Sequence, residues 1–239
     1  MKRNNVDFEI YKKIDNKFKP KELFKQVVNL LNIKEDKSLE KKKLIDIGGA
    51  NGAFCYYLRT INDKISLTNI DFNDSILYES KDFLIEHNIK FKKDDANSLS
   101  EKDSIYDYVT SFGVTQIFDD FIPSFSEMLR IASPGGLICN SIFVNETGGD
   151  LIIKYIDPVS KKQLPGWNKF SLSSINNYLK KNKNVSNFEF IKHKMPFDLE
   201  KKDDKFRSYT KIVNGKRILW NDGLNMEVTI YSIVIKKID

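Results

Sequence analysis

The segment LIDIGGANGAF, residues 44–54, constrains the fold of this chain more than any other part of it. Leu44, Ile45 and Ile47 form a short apolar run, and three glycines follow within the next five residues. This pattern is typical of a buried strand that turns sharply into a helix. Ligands of open α/β sheets lie beyond the carboxyl ends of the strands, and glycine lets the backbone approach them closely. The segment therefore predicts a ligand site at this turn.

The alternation of apolar strands and amphipathic helices continues to residue 144. Further strands are predicted at 65–70, 89–93, 106–112 and 136–144, and helices at 20–31, 52–61, 74–87 and 121–132. This order favours a parallel sheet with helices on both faces.

The pattern changes after residue 144. A helix is predicted at 171–179 and a strand at 188–194, and two strand-like runs flank Asn214-Gly215, a strong hairpin signal. The last run, 226–237, is β-branched and predicts a long final strand. The chain has no internal repeat and no low-complexity linker, so a single domain is predicted over residues 1–239.

Composition narrows the class of protein. The net charge is +6, but only five of the 39 basic residues are arginine, and the lysines are interleaved with acidic residues. This favours a solvated surface over a nucleic-acid-binding one. Cys55 and Cys139 stand in apolar runs, which indicates buried thiols, and no signal peptide or membrane span is evident, so a cytoplasmic location is expected. Neither His nor Cys residues cluster, so no metal is indicated.

Residues 44–54 resemble the first motif of class I S-adenosylmethionine-dependent methyltransferases, an acidic residue two positions before a Gly-x-Gly-x-Gly turn. Asp46, Gly48 and Gly52 match this motif, and Ala50 stands at the middle glycine. Four later landmarks of the family follow in order: Asp71-Phe72, Asp95-Ala96, the strand YDYVTSFG at 106–113, and LRIASPGG at 129–136.

The resemblance implies S-adenosylmethionine as the cofactor and assigns roles around it. Asp71 would accept hydrogen bonds from both ribose hydroxyls, Phe72 would pack against the adenine, and Asp95 and Ala96 would read the adenine edge. Phe112 lies on the strand beneath the cofactor, with ordinary core packing as the alternative. An acidic Asp46 beside the turn would repel a pyrophosphate, which counts against a dinucleotide.

The fold implied by the resemblance is a Rossmann-like, doubly wound, mostly parallel seven-stranded sheet with an antiparallel final strand and a C-terminal hairpin insertion. Residues 1–33 would form N-terminal helices and a lid, with Tyr11 closing over the cofactor or simply packing. Residues 42–144 would bind the cofactor, 145–225 would be acceptor-side insertions, and 226–239 would be the final strand.

The acceptor side is less defined. His193 and Asp119 are candidates for a general base, with structural roles as the alternative. Gln116 stands near the position where many small-molecule members of the family have a histidine, and Trp167 and Trp220 are candidates for stacking walls. The predicted activity is O- or N-methylation of a small-molecule or saccharide-like acceptor. Two alternatives stay open: a non-catalytic cofactor- or partner-binding protein on the same fold, and an RNA or protein methyltransferase.

Overall fold

A computed structural model of the chain describes residues 19–36, 38–156 and 161–239. Tyr11, the predicted lid residue, lies outside these ranges. The described helices are α1 (Glu22–Leu30), α2 (Ala53–Ile61), α3 (Asp74–Glu79), α4 (Lys81–Glu86), α5 (Ile122–Ile131) and α6 (Leu172–Lys181), with short 3-10 helices at Leu39–Lys41 and Thr115–Ile117.

The described strands follow the predicted alternation and add short strands after residue 145. They are β1 (Lys43–Ile47), β2 (Ser66–Asp71), β3 (Ile89–Lys93), β4 (Tyr106–Phe112), β5 (Ala132–Asn145), β6 (Lys154–Ile156), β7 (Gln163–Pro165), β8 (Phe170–Ser171), β9 (Val185–Lys192), β10 (Tyr209–Val213), β11 (Lys216–Asn221), β12 (Met226–Val228) and β13 (Ile230–Lys237).

The main sheet has eight strands, seven of them in the order β3-β2-β1-β4-β5-β13-β9, and the two-residue strand β8 pairs with the end of β5. Strand β13 runs antiparallel to both β5 and β9, and the pairs that join β3, β2, β1, β4 and β5 are parallel. The predicted doubly wound sheet with an antiparallel final strand is confirmed. Because β1 is central, its carboxyl end lies at the point where the strand order reverses, which is the usual ligand position.

Both faces of the sheet are covered by helices, which explains the continuous apolar run of β1. Leu44 packs on the face that carries α1, α2 and α4. Ile45 and Ile47 pack on the opposite face, against α5 and α6. Cys55 and Cys139 are both free thiols buried on the Leu44 side.

Two predicted elements are divided in the structure. The helix predicted at 74–87 is split into α3 and α4 at Ser80, whose N–H bonds the carbonyls of both Ile76 and Leu77 and tightens the turn. The strand predicted at 226–237 is split at Thr229, because β12 pairs with β11 while β13 joins the main sheet.

The hairpin signal at Asn214-Gly215 is confirmed. These residues have φ of 49° and 73°, the left-handed values that a two-residue turn between antiparallel strands requires. Strands β10, β11 and β12 form a separate three-stranded sheet, and β6 and β7 form a two-stranded ribbon that the sequence did not predict. In the described part of the chain, no helix is both long and apolar enough to cross a membrane.

Candidate cofactor site and acceptor side

The glycine turn after β1 is packed tightly against the side chains of Val114 and Asn69. A Cβ on Gly48 would lie 2.1 Å from Val114 Cγ2, and one on Gly49 would lie 2.0 Å from Asn69 Oδ1. Ala50 has a φ of +48°, in the left-handed region that favours glycine. The departure from the family pattern at Ala50 therefore costs some backbone strain, but its side chain adds only a methyl group to the turn.

Asp71 joins the glycine turn to the end of β2. Its Oδ2 accepts a hydrogen bond from the Ala50 N–H at 2.9 Å, and its Oδ1 accepts one from the Asn73 N–H at 2.8 Å. Burial raises the pKa of Asp71, and these N–H bonds oppose the rise. Each carboxylate oxygen has two acceptor positions, so each retains capacity for a hydroxyl group.

Asp46 lies beneath the turn, with only 1% of its surface exposed. Thr110, its register partner on β4, donates to Asp46 Oδ1 at 2.8 Å. Burial raises the pKa of Asp46 to about 7. Asp46 Oδ2 and Asn69 Oδ1 both face the Cα of Gly49, and Asn69 Oδ1 accepts no hydrogen bond within the described chain. The Asp46 carboxyl and the Asn69 amide thus both border the glycine turn.

The turn after β3 lies next to Asp71, because the Asp94 N–H donates to the Asp71 carbonyl at 3.1 Å. Asp95 Oδ1 accepts from the Asn97 N–H at 2.9 Å, and Ala96 is buried. Phe72 is 70% exposed at the same edge of the sheet. An exposed ring beside two half-buried carboxylates offers a flat apolar face and hydrogen-bond acceptors at one place.

Phe112 belongs to the core. Its ring meets the rings of Phe24 and Phe54 edge-on, at centroid distances of 4.9 and 4.7 Å. Phe112 thus has the core packing that the sequence offered as its alternative role. A contact of the ring with the cofactor stays a prediction. The same cluster anchors α1 against the end of β4.

Gln116 and Asp119 hold the loop that follows β4. Gln116 is buried, and its Oε1 accepts from the Phe143 N–H at 2.8 Å, which ties the loop to β5. Asp119 is exposed and forms an ion pair with Lys154 on β6. Both side chains therefore stabilise the loop. An acceptor contact of Gln116 and a role of Asp119 as the general base stay predictions.

His193 follows β9 and contacts α1. Its Nδ1 lies 2.5 Å from Gln26 Oε1, and its Nε2 lies 3.3 Å from Met195 Sδ. An amide oxygen and a thioether sulfur both only accept hydrogen bonds, so the ring faces an acceptor at each nitrogen and a neutral ring can donate to only one of them. Burial lowers the pKa of His193, which favours the neutral form of the ring.

Trp167 is part of a set of four rings that extends from β5, here named the aromatic wall: Phe143, Tyr155, Trp167 and Phe206. Trp167 lies 6.1 Å from Phe143 and 6.2 Å from Phe206, and Tyr155 lies 5.0 Å from Phe206, all between ring centroids. Trp220 lies on β11 instead, with Lys211 Nζ 4.6 Å from its ring centroid. The structure therefore separates the two predicted stacking residues.

Residues 45–140 match the family model described as a methyltransferase domain. This range contains the glycine turn, Asp71, Asp95 and β4. Over this range the chain matches a methyltransferase domain and has the landmarks of the class I enzymes that use S-adenosylmethionine. S-adenosylmethionine is the cofactor of this class. The residues present fit that group, since Asp71 retains acceptor capacity at the tight turn and the Phe72 ring is 70% exposed, with Lys93 Nζ 5.8 Å from its centroid.

Two curated relatives resemble parts of the chain. The demethylmenaquinone methyltransferase of Staphylococcus aureus strain MRSA252 is 29% identical over 99 residues, which cover 40% of this chain and 41% of the relative. The ubiquinone/menaquinone biosynthesis C-methyltransferase UbiE of Teredinibacter turnerae is 26% identical over 142 residues, 57% of this chain and 56% of the relative. The chain thus spans about half the length of these relatives.

Solved structures share the fold at low identity. The YcgJ protein of Bacillus subtilis superposes with a TM-score of 0.60 at 15% identity, over 88% of this chain and 97% of that one. Phosphoethanolamine N-methyltransferase 2 of Haemonchus contortus, solved with S-adenosyl-L-methionine, has a TM-score of 0.56 at 14% identity, over 83% of this chain and 49% of that one. The cyclase SpnF has a TM-score of 0.50 at 21% identity, over 62% and 53%.

Among the residues with described coordinates, no group of three or more His, Cys, Asp or Glu side chains is arranged to hold a metal ion.

The sequence did not reveal several side chains that shape the site: Gln26, Asn69, Phe143 and Phe206. Thr110 was within reach of sequence reasoning, because it stands opposite Asp46 once β1 and β4 are paired.

Proposed function

We propose that this protein transfers the methyl group of S-adenosylmethionine to a small, ring-shaped acceptor bound against the aromatic wall. The observation that carries the proposal is the hydrogen bond from the Ala50 N–H to Asp71, which joins the glycine turn to the carboxylate that we propose binds the ribose. The relatives named for quinone methylation support a small molecule as the acceptor.

When bound, the cofactor supplies a methyl group on a sulfonium sulfur, which leaves as a neutral thioether as the acceptor atom bonds to the carbon. The protein has to hold the acceptor in line with that carbon and exclude water. Asp71 would hold the ribose hydroxyls, Phe72 would cover the adenine, and the glycine turn would let the backbone approach. Asp46 and Thr110 support the turn from below.

An acceptor atom that carries a proton must lose it during the transfer, and His193 is our candidate to receive it at Nε2. Burial lowers the pKa of His193, which favours the neutral ring, and a proton on Nδ1 toward Gln26 would leave Nε2 as the basic atom, which now lies 3.3 Å from Met195 Sδ. Asp119 is the second candidate, although its ion pair with Lys154 lowers its pKa and makes it a weaker base.

The aromatic wall supports a flat acceptor. The family match ends at residue 140, before any residue of the wall, so the acceptor has to be inferred from this chain's own side chains. Tryptophan and phenylalanine rings bind both quinol rings and sugar faces, so the proposed acceptors include both quinols and saccharides.

We keep a cytoplasmic location as part of the proposal, supported by the two buried free thiols.

A second candidate function is a protein of this fold that does not transfer methyl groups. It is favoured by the similarity to SpnF, which is named a cyclase, and the fold alone does not fix the reaction. Turnover of the cofactor separates the two.

The experiment measures S-adenosylhomocysteine formed by the purified protein with S-adenosylmethionine and panels of quinols, phenols, sugars and nucleotide-sugars. The proposal expects turnover with one panel, and a rise in KM for Trp167→Ala that Trp220→Ala does not share. No turnover with any panel, together with intact cofactor binding, would favour the non-transferring candidate. Equal effects of the two tryptophan variants would remove the aromatic wall from the acceptor site.

A further inference from the structure

The hairpin of β10 and β11 concentrates positive charge. Residues 205–221 contain five basic side chains and no acidic one, whereas the whole chain mixes 39 basic with 33 acidic residues. The five are Lys205, Arg207, Lys211, Lys216 and Arg217. Lys205 and Arg207 precede β10, and Asp204 and Asp198 form ion pairs with Arg207 and Arg217. Among the described residues, the positive charge of the hairpin that lacks an ion pair is therefore that of Lys211 and Lys216.

The tip of this hairpin is apolar and exposed. Ile212 is 63% exposed and its neighbour Val213 is 36% exposed, directly before the Asn214-Gly215 turn. A Cβ on Gly215 would have no atom within 4 Å, so the turn projects into open space. Two adjacent aliphatic side chains at the end of a projecting hairpin contribute little to the core.

Two lysines flank the tip with their charges available. Lys216 pairs with Val213 in the strand register, and Lys211 stands directly before Ile212. Neither lysine forms an ion pair with a residue that the structure describes, although Lys211 Nζ lies over the Trp220 ring. Tyr209 and Trp220 face each other further down the hairpin and are half-buried. Such amphipathic rings are favoured at membrane–water interfaces.

The hairpin is attached to the aromatic wall. Phe206, three residues before β10, contacts both Tyr155 and Trp167. Gly223, just after β11, lies so close beneath Phe206 that a Cβ would be 2.9 Å from its ring. The hairpin therefore extends from the same part of the molecule that holds the proposed acceptor wall.

We propose that the β10–β11 hairpin docks this protein on an anionic lipid bilayer, with Ile212 and Val213 inserted at the interface and Lys211 and Lys216 beside the lipid phosphates. Lysine stems can lie along apolar surface while the ammonium groups stay at the headgroups. A nucleic acid would use the positive charge but not the apolar pair at the tip, which is why lipid is favoured. The inference does not depend on the proposed methyl transfer.

The test is co-sedimentation of the full chain with two kinds of vesicle, one of phosphatidylcholine alone and one that also contains about 30% phosphatidylglycerol. This share of anionic lipid is enough to attract a polybasic segment. We expect binding to the anionic vesicles only. Lys211→Gln with Lys216→Gln should weaken partitioning about fivefold for each lysine lost. Ile212→Ser with Val213→Ser should weaken it about tenfold or more, because two aliphatic side chains no longer enter the interface.

Ile85→Ser is the matched control, because Ile85 is 58% exposed on α4, away from the hairpin. It should bind vesicles as the wild type does, and thermal melting confirms that each variant is folded. Wild-type protein that stays in the supernatant with anionic vesicles would overturn the proposal. Undiminished sedimentation of the Ile212→Ser, Val213→Ser variant would also overturn it. Binding to poly-uridylate RNA in the absence of vesicle binding would assign the basic hairpin to nucleic acid instead.

Discussion

The cofactor half, residues 42–144, and the acceptor side, residues 145–225, are held together by different kinds of contact. In the cofactor half, buried polar groups bond across adjacent strand ends, as Thr110 does to Asp46 and the Ala50 N–H does to Asp71. On the acceptor side, the rings of the aromatic wall meet at centroid distances of 5.0 to 6.2 Å, and the buried amides of Asn168 and Asn221 bond to loop carbonyls rather than between strand ends.

This difference indicates which half is fixed and which can vary. Buried hydrogen bonds between strand ends specify one geometry, because each broken bond leaves an unsatisfied polar group. Exchange of one ring for another leaves no polar group unsatisfied, so the part of the acceptor side that is built from rings can vary more. A fixed cofactor half with an adaptable acceptor side suits a fold that serves many acceptors.

The largest expected effect concerns Asp46. Its pKa is about 7 in the folded protein and near 3.8 when unfolded, so the folded state binds the proton more tightly. The free energy of unfolding should therefore fall as pH rises from about 4 to 7, by up to about 1.4 kcal/mol per pH unit. Asp46→Asn carries no charge and should lack this fall.

The measurement is urea unfolding of the wild type and of Asp46→Asn without cofactor, in steps of about one pH unit from about pH 4.5 to 7.5, which resolve the expected slope. The stability of the variant relative to wild type should increase steadily with pH. Parallel profiles would show that the Asp46 carboxyl is not held in its neutral form by burial.

The next effect contrasts one glycine from each half. A Cβ at Gly49 would lie 2.0 Å from Asn69 Oδ1 and 2.5 Å from Asp46 Oδ2, whereas one at Gly149 would have no atom within 4 Å. Gly49→Ala should destabilise the protein by about 1–3 kcal/mol, and Gly149→Ala by less than about 0.5 kcal/mol. Thermal melting measures both, and similar losses in the two variants would contradict the contrast.

The sequence predicted the cofactor half better than the acceptor side. The turn at 44–54 could be predicted because strand, glycines and helix are contiguous, and the alternation that follows fixes a parallel sheet. The aromatic wall could not, because Phe143 and Phe206 are far apart in sequence and carry no periodic signal. The contact between Gln26 and His193 joins residues 167 positions apart and depends on how α1 crosses the sheet.

The smallest expected effect is at Asp119. Its ion pair with Lys154 is exposed and screened by solvent, so Asp119→Asn should leave the urea midpoint of unfolding nearly unchanged. Cofactor affinity should also be unchanged, because Asp119 is not among the residues proposed to hold the cofactor. If the variant keeps cofactor affinity but loses turnover, Asp119 replaces His193 as the candidate base.

The central claim is that the joined ends of β1 and β2 bind S-adenosylmethionine. Calorimetric titration of the wild type and two matched variants tests it most directly. Asp71→Asn removes the charge that is proposed to face the ribose, while Asp74→Asn changes an exposed carboxylate three residues away, on the first turn of α3. The account predicts that the wild type and Asp74→Asn bind S-adenosylmethionine alike and that Asp71→Asn binds it at least about tenfold more weakly, since charged hydrogen bonds contribute about 1.5–3 kcal/mol. Equal affinity of Asp71→Asn and Asp74→Asn, or no binding by the wild type, would contradict it.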